Sequence, residues 1–158
     1  MNIRRLTLED LPRLRQSWQE NWGDEFVVAH GVIYHLENLD GFIAVEGEEW
    51  VGEITFAFLE NDCEIVSLDS RREGQGIGTA LMNAVVEEVR ATKNCRRIFL
   101  VTTNDNLNAL GFYQKRGFEL VRINRGALND TRKLKPNIPL IGENNIPLRY
   151  EIELEMIL

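Results

Sequence analysis

The chain has 158 residues, 44% of them hydrophobic and 27% charged, with 18 Lys and Arg against 25 Asp and Glu for a net charge of −7. That balance excludes disorder and fibrous repeats, and the acidic excess argues against a nucleic-acid partner, because such binding rests on neutralising phosphates. No apolar run reaches the roughly 18 residues that cross a bilayer, and Met1-Asn2-Ile3-Arg4-Arg5 turns polar too early for a secretory signal, so a cytoplasmic protein without a membrane partner is expected, folded as a single domain over residues 1–158.

Residues 3–6 read as a first strand. Thr7-Leu8-Glu9-Asp10 then has the form of a capping box, and Leu8, Leu11, Leu14 and Trp18 recur at helical spacing behind it. Val27, Val28, Val32, Ile33 and Leu36 suggest a second, less regular helix ending near Gly41. Two β-rich runs, 42–45 and 50–58, flank a Gly-containing turn and read as a hairpin, and a fourth strand follows at 63–68. After a glycine cluster the period changes: Ile77, Leu81, Val85 and Val89 mark an amphipathic helix. A fifth strand is expected at 98–102, a helix from Leu107 to Lys115 closed by Gly117, and two more strands at 118–123 and 149–158. Between these last two lies the long, proline-bearing segment 124–147, of the kind that is usually functional or mobile. Cys63 and Cys95 belong to no CxxC pair or Cys/His cluster and read as unpaired thiols, so no metal site is expected.

Arg71-Arg72-Glu73-Gly74-Gln75-Gly76-Ile77-Gly78-Thr79-Ala80-Leu81 joins the fourth strand to the third helix. Glycines let backbone approach a ligand closely, and the helix behind them offers unpaired amides and a positive dipole end, the makings of a pyrophosphate cradle. A nucleotide P-loop fails for want of Lys after the last glycine. A dinucleotide or methyltransferase loop is out of place, because these glycines follow the fourth strand and not the first. Coenzyme A remains, with a diphosphate that needs amides and a pantetheine arm that can pair with a strand edge.

Gly74-Gln75-Gly76-Ile77-Gly78-Thr79-Ala80-Leu81, followed about 25 residues later by Asn106-Leu107-Asn108-Ala109-Leu110-Gly111-Phe112-Tyr113-Gln114-Lys115-Arg116-Gly117-Phe118, resembles the GNAT superfamily of acyl-CoA-dependent N-acyltransferases. The second string, N-x-x-A-x-x-F-Y-x-K-x-G-F, is the more specific, and the similarity in element order covers essentially the whole chain. The 132–136 and 138–143 segments look like an uncharacterised bacterial branch of that superfamily. One departure is Glu73, where the family's pattern prefers Gln or Arg.

The resemblance implies a mixed α/β (α+β) fold, a mostly antiparallel sheet of about seven strands flanked by about four helices, with the fourth and fifth strands splayed apart. It implies acetyl-CoA as acyl donor, with Val66 and Leu68 pairing with pantetheine, the amides of Gly74, Gln75, Gly76, Ile77, Gly78 and Thr79 taking the diphosphate, and Asn106 and Phe112 touching the arm. Tyr113 is expected as general acid toward the departing thiol and Glu64 as base, acting directly or through water, with Asp62 and Glu53 behind it. His30 and His35 are further candidates at the acceptor mouth. Trp22, Phe26, Val27 and Tyr34 are expected as an apolar acceptor wall. From residue 112 to 136 there are seven positive residues against two negative, and Arg125, Arg132, Lys133 or Lys135 could meet an anionic group on the acceptor. The expected reaction is direct attack of a small-molecule or peptide amine in a ternary complex, the alternative being a non-catalytic acyl-CoA-binding module. A homodimer is expected through the final strand, apolar and near an edge.

Overall fold

The computed structural model describes residues 1–92 and 94–158. They form two compact units, one of residues 1–27, 34–98 and 158, the other of residues 28–33 and 99–157.

In the first unit, strands β1 (Asn2–Arg5), β4 (Asp40–Glu46), β5 (Glu49–Leu59) and β6 (Asp62–Ser70) lie in the order β1-β4-β5-β6, each pairing antiparallel. The capping box forms, with the Thr7 backbone N–H donating to Asp10 at 2.8 Å before helix α1 (Leu11–Trp22) begins. Leu14 and Trp18 from α1 join Leu36, Ile43 and Trp50 in a buried cluster, the face predicted by their helical spacing. Helix α2 (Ile77–Arg90) packs on β5 at Gly52, where a Cβ would lie 2.7 Å from Ile77 Cγ2, so only glycine lets the helix sit this close.

In the second unit the order is β7 (Arg97–Thr103), β9 (Glu151–Ile157), β8 (Glu119–Asn124), with β8 and β9 antiparallel. Helix α3 (Leu107–Lys115) follows β7, and helix α4 (Ala127–Leu134) follows β8. Seven strands in these orders, mostly antiparallel, with four α-helices among the described residues, make the class mixed α/β as expected.

Three expectations are corrected. No second helix precedes residue 40: β2 (Phe26–Ala29) and β3 (Val32–His35) form a two-stranded hairpin, followed by a single 3₁₀ turn. The two turn residues, His30 at φ 42° and Gly31 at φ 80°, are both left-handed, the geometry that matches the twist of a tight hairpin. Two pairs of valine and isoleucine flanking such a turn mimic a helical repeat while being stiff side chains suited to strands. The segment 124–147 is not simply a loop, because it contains α4. The last strand is not at an edge either: β9 lies between β7 and β8, and β8 takes the outer position with all six residues exposed.

Candidate active site

The turn from β6 into α2 is left open. Gly74 (φ 74°) and Gly76 (φ 76°) are left-handed, a Cβ on either would meet nothing within 4 Å, and residues 73–76 are exposed. Gly76 occupies the N-cap position of α2 and supplies no side-chain cap at the positive end of this 14-residue helix. The neighbouring arginines do not supply the charge together: Arg72 pairs with Glu46 at 2.5 Å and also with Glu49. Glu73 is exposed to solvent.

Helix α3 begins in the opposite manner. Asn106 caps it, its side-chain oxygen accepting from the Ala109 N–H at 3.1 Å. Seven positions on, Tyr113 is buried between Phe112 and Phe118, at ring-centroid separations of 5.2 and 5.5 Å with edge-to-face geometry. Burial alone pushes its phenol upward, which keeps the hydroxyl protonated at neutral pH. Phe112 is half-buried, and the Arg116 guanidinium covers its ring at 3.5 Å.

Strand β6 carries the carboxylates, and its register decides which of them are accessible. Between Thr55 and Phe56 the pairing shifts, so that Thr55 stands opposite Ser67 and Phe56 opposite Ile65, leaving Val66 as the extra residue of a bulge. Strict alternation groups Asp62, Glu64 and Val66. The bulge instead sets Glu64, Ser67 and Asp69 opposite Ala57, Thr55 and Glu53, three residues that share one face of β5. Tyr34 and Ser17 reach this same face. Tyr34 donates its hydroxyl to Glu64, Ser17 donates to Glu53 Oε1 at 2.5 Å, and the Trp50 indole donates to Glu53 Oε2 at 2.6 Å. Thr55 and Ser67 hydroxyls meet at 2.6 Å.

Glu64 is therefore sealed, at 0% exposure, with Tyr34 against it at 7%. Burial raises Glu53 above the ordinary carboxylate range, opposed by its bonds from Ser17 and Trp50. Asp62 is removed from contention as a base: Arg96 at 2.7 Å and Arg97 at 2.9 Å hold its carboxyl below the usual range. Cys63 is buried, and burial pushes its thiol up, away from thiolate chemistry. Among the described residues no cluster of His, Cys, Asp and Glu could hold a metal, and no helix is long and apolar enough to cross a membrane.

The basic residues expected to meet the acceptor have other duties. Arg132 donates to the carbonyls of Pro139 and Leu148, both at 2.8 Å, and Lys135 is buried. Lys133 pairs with Asp130 at 3.3 Å, while Arg125 is exposed. His30 turns the hairpin, its backbone N–H donating to buried Glu151 at 3.0 Å, and His35 lies beside Phe26.

Sequence reasoning missed a brace behind α3. Asn104 Oδ1 accepts from the backbone N–H groups of Arg149 and Tyr150, both at 3.0 Å, and Asp105 accepts from the Glu143 N–H at 2.8 Å. A Cβ at Gly142 would collide with the Asp105 carboxylate, which explains the glycine of Ile141-Gly142-Glu143. The available signal was the Asn104-Asp105-Asn106 run at a strand-to-helix junction, since short polar side chains there bind local backbone.

Residues 5–118 match the model of the Acetyltransferase (GNAT) family. The chain belongs to the GNAT acetyltransferase family. A Bacillus subtilis relative, the uncharacterised protein YxbD, is 46% identical over 136 residues, 85% of each chain. Two solved structures share the GNAT fold at low identity. The IAA acetyltransferase from Bacillus cereus superposes with a TM-score of 0.72 at 21% identity over 99% of both chains. A GNAT family acetyltransferase from Elizabethkingia anophelis with acetyl-CoA bound superposes at 0.71 and 23% identity, over 99% of this chain and 97% of that one. Both motifs of the sequence, the glycine turn and the α3 string, fall inside the span matched by the GNAT family model.

Proposed function

We propose that residues 1–158 act as one cytoplasmic N-acetyltransferase domain that moves an acetyl group from acetyl-CoA to a primary amine by direct attack in a ternary complex. The observation that carries the reading is the uncapped α2 N-terminus behind two left-handed glycines with open space at each Cα. The residues present suit coenzyme A: amides of Gly74, Gln75, Gly76, Ile77, Gly78 and Thr79 would hold its diphosphate, and β6 backbone at Val66 and Leu68 would pair with its pantetheine. The relative from Elizabethkingia anophelis, crystallised with acetyl-CoA, supports that choice. Bound acetyl-CoA would supply a thioester, an acyl group already activated toward nitrogen.

The chain's own groups then handle protons. Tyr113, protonated and enclosed by aromatic rings, gives its hydroxyl proton to the leaving thiolate. Glu64 receives the proton lost by the amine. Asn106 and Phe112 contact the arm, Asn106 through the helix start it caps. With Arg132 engaged internally, acceptor recognition falls to the hairpin, to α1 and to exposed Arg125. A homodimer would form at the outer strand β8, where Leu120, Val121 and Ile123 are all exposed, since an unpaired edge of that kind is a template for a second chain.

The burial of Glu64 favours one competing reading, a non-catalytic acyl-CoA-binding module whose acid is structural. The two are separated by mixing the protein with acetyl-CoA and spermidine, glucosamine, n-butylamine or an alanine-initiated peptide and following free thiol. Release with one amine is expected. Calorimetric binding of acetyl-CoA without thiol release from any of them would establish the module instead.

A further inference from the structure

The candidate base presents a contradiction. Glu64 has no exposed surface, so an acceptor nitrogen cannot touch its carboxylate, yet a base must be in hydrogen-bond reach of the proton it removes. The hydroxyl of Tyr34 does touch the carboxylate, donating to Oε2. Tyr34 keeps a small exposed fraction, 7%, and it stands on β3, a four-residue strand of the two-stranded hairpin. Opposite Glu64 across the ladder is Ala57, a small side chain. Burial and the neighbouring carboxylate both raise the phenol, so it meets the acceptor as a neutral hydroxyl, able to accept one hydrogen bond while donating another.

We propose that Tyr34 is a catalytic residue, a proton relay that takes the proton of the attacking amine on its hydroxyl oxygen while passing its own hydroxyl proton to Glu64. The proposal rests on the reading of Glu64 as base, and extends it to the group that meets the substrate. As the nitrogen–carbon bond to the acetyl group forms and the carbon–sulfur bond breaks, the N–H proton goes to Tyr34 Oη and the Tyr34 proton to Glu64 Oε2. The departing thiolate takes the Tyr113 proton; afterwards the proton on Glu64 leaves by the reverse relay through Tyr34 Oη to solvent, and Tyr113 regains one from solvent. Every side chain ends the cycle as it began. The arrangement also explains how a carboxylate can serve from beneath a closed surface: the hydroxyl carries its basicity outward by one residue.

The test compares Tyr34→Phe, Glu64→Gln and the double variant in thiol release from acetyl-CoA with whichever of the four amines the wild type uses fastest. Each single variant should lose about a hundredfold or more in kcat with the acetyl-CoA Kd unchanged, and the double variant should be no slower than either, because the two groups act as one unit. Tyr34→Phe removes one donor from the buried Glu64 carboxylate. Should its near-ultraviolet circular dichroism be lost, Tyr34→Met, which fills irregular space, replaces it with the same expectation. A Tyr34 variant with near-normal kcat beside a dead Glu64→Gln would overturn the relay while leaving Glu64 as base. Near-normal rates in both would overturn the base reading and the relay together, and fully additive losses would reduce Tyr34 to a packing residue.

Discussion

Helices α2 and α3 start in opposite ways, one with a glycine at its cap position and the other closed by an asparagine side chain. At α3 the polar side chain of Asn106 satisfies an amide that would otherwise be bare, and Asn104 and Asp105 tie the same turn to the 142–150 segment. At α2 the cap position is a glycine with no side chain, held in a left-handed conformation, with open space around it. What sets the α2 start apart is backbone that only glycine adopts cheaply, at Gly74 and Gly76, and this is the start proposed above to hold the diphosphate.

The largest effect expected is at Tyr113, carried by the well-capped helix. Tyr113→Phe should lower kcat by roughly ten- to a thousandfold while leaving the acetyl-CoA Kd nearly intact, as steady-state kinetics and calorimetry will read. Unchanged turnover would take the phenol out of the chemistry and leave α3 a structural helix. Next, Gly76→Asp should weaken acetyl-CoA binding by about ten- to a hundredfold, since a carboxylate placed at the helix start repels a diphosphate. Its stability should hardly move, because the left-handed strain of about 1 kcal/mol is opposed by the cap that aspartate provides. Normal binding in that variant would break the contrast outright.

Asn106→Ala should show the reverse signature. Loss of the cap costs about 1 kcal/mol, read as a fall in Tm of roughly 2–4 °C, with acetyl-CoA affinity reduced far less than by Gly76→Asp. The smallest effect concerns Glu53 in the first unit. Its pKa is raised in the folded state, so the folded protein holds the proton more tightly, and the stability that this contributes at low pH is lost as pH rises above the ordinary glutamate range. The Tm of Glu53→Gln should accordingly fall less than that of the wild type between pH 4.5 and pH 8, by a degree or two on the scale of about 2–4 °C per kcal/mol. Parallel Tm curves for the two proteins would mean that Glu53 is not protonated in the fold.

Much of the architecture was readable because it is local. The Thr7–Asp10 box, the Leu11, Leu14 and Trp18 face of α1 and the left-handed Gly117 after α3 all express preferences within a few residues and formed where expected, whereas Leu8, expected on that face, is exposed in the turn before the helix. The stretch from Phe26 to His35 misled for a local reason as well: a two-residue turn between β-branched pairs reproduces helical spacing. The candidate base was harder. Asp62 and Glu64 are two residues apart on one strand, and nothing in their spacing tells that Arg96 and Arg97 neutralise the first while Tyr34 closes over the second. Arg132, exposed by composition, turned inward because three carbonyls of the 138–148 segment needed a donor.

The chain's order of residues alone determined the open start of α2, the cap on α3 and the family to which both motifs point, since glycine's conformational freedom and an asparagine cap act over one helical turn. Only the tertiary structure decided which carboxylate faces what. That outcome depends on a single extra residue, Val66, in the β5–β6 ladder and on side chains arriving from 30 or more positions away, and such pairings follow from the packing of the whole unit rather than from any short run of sequence.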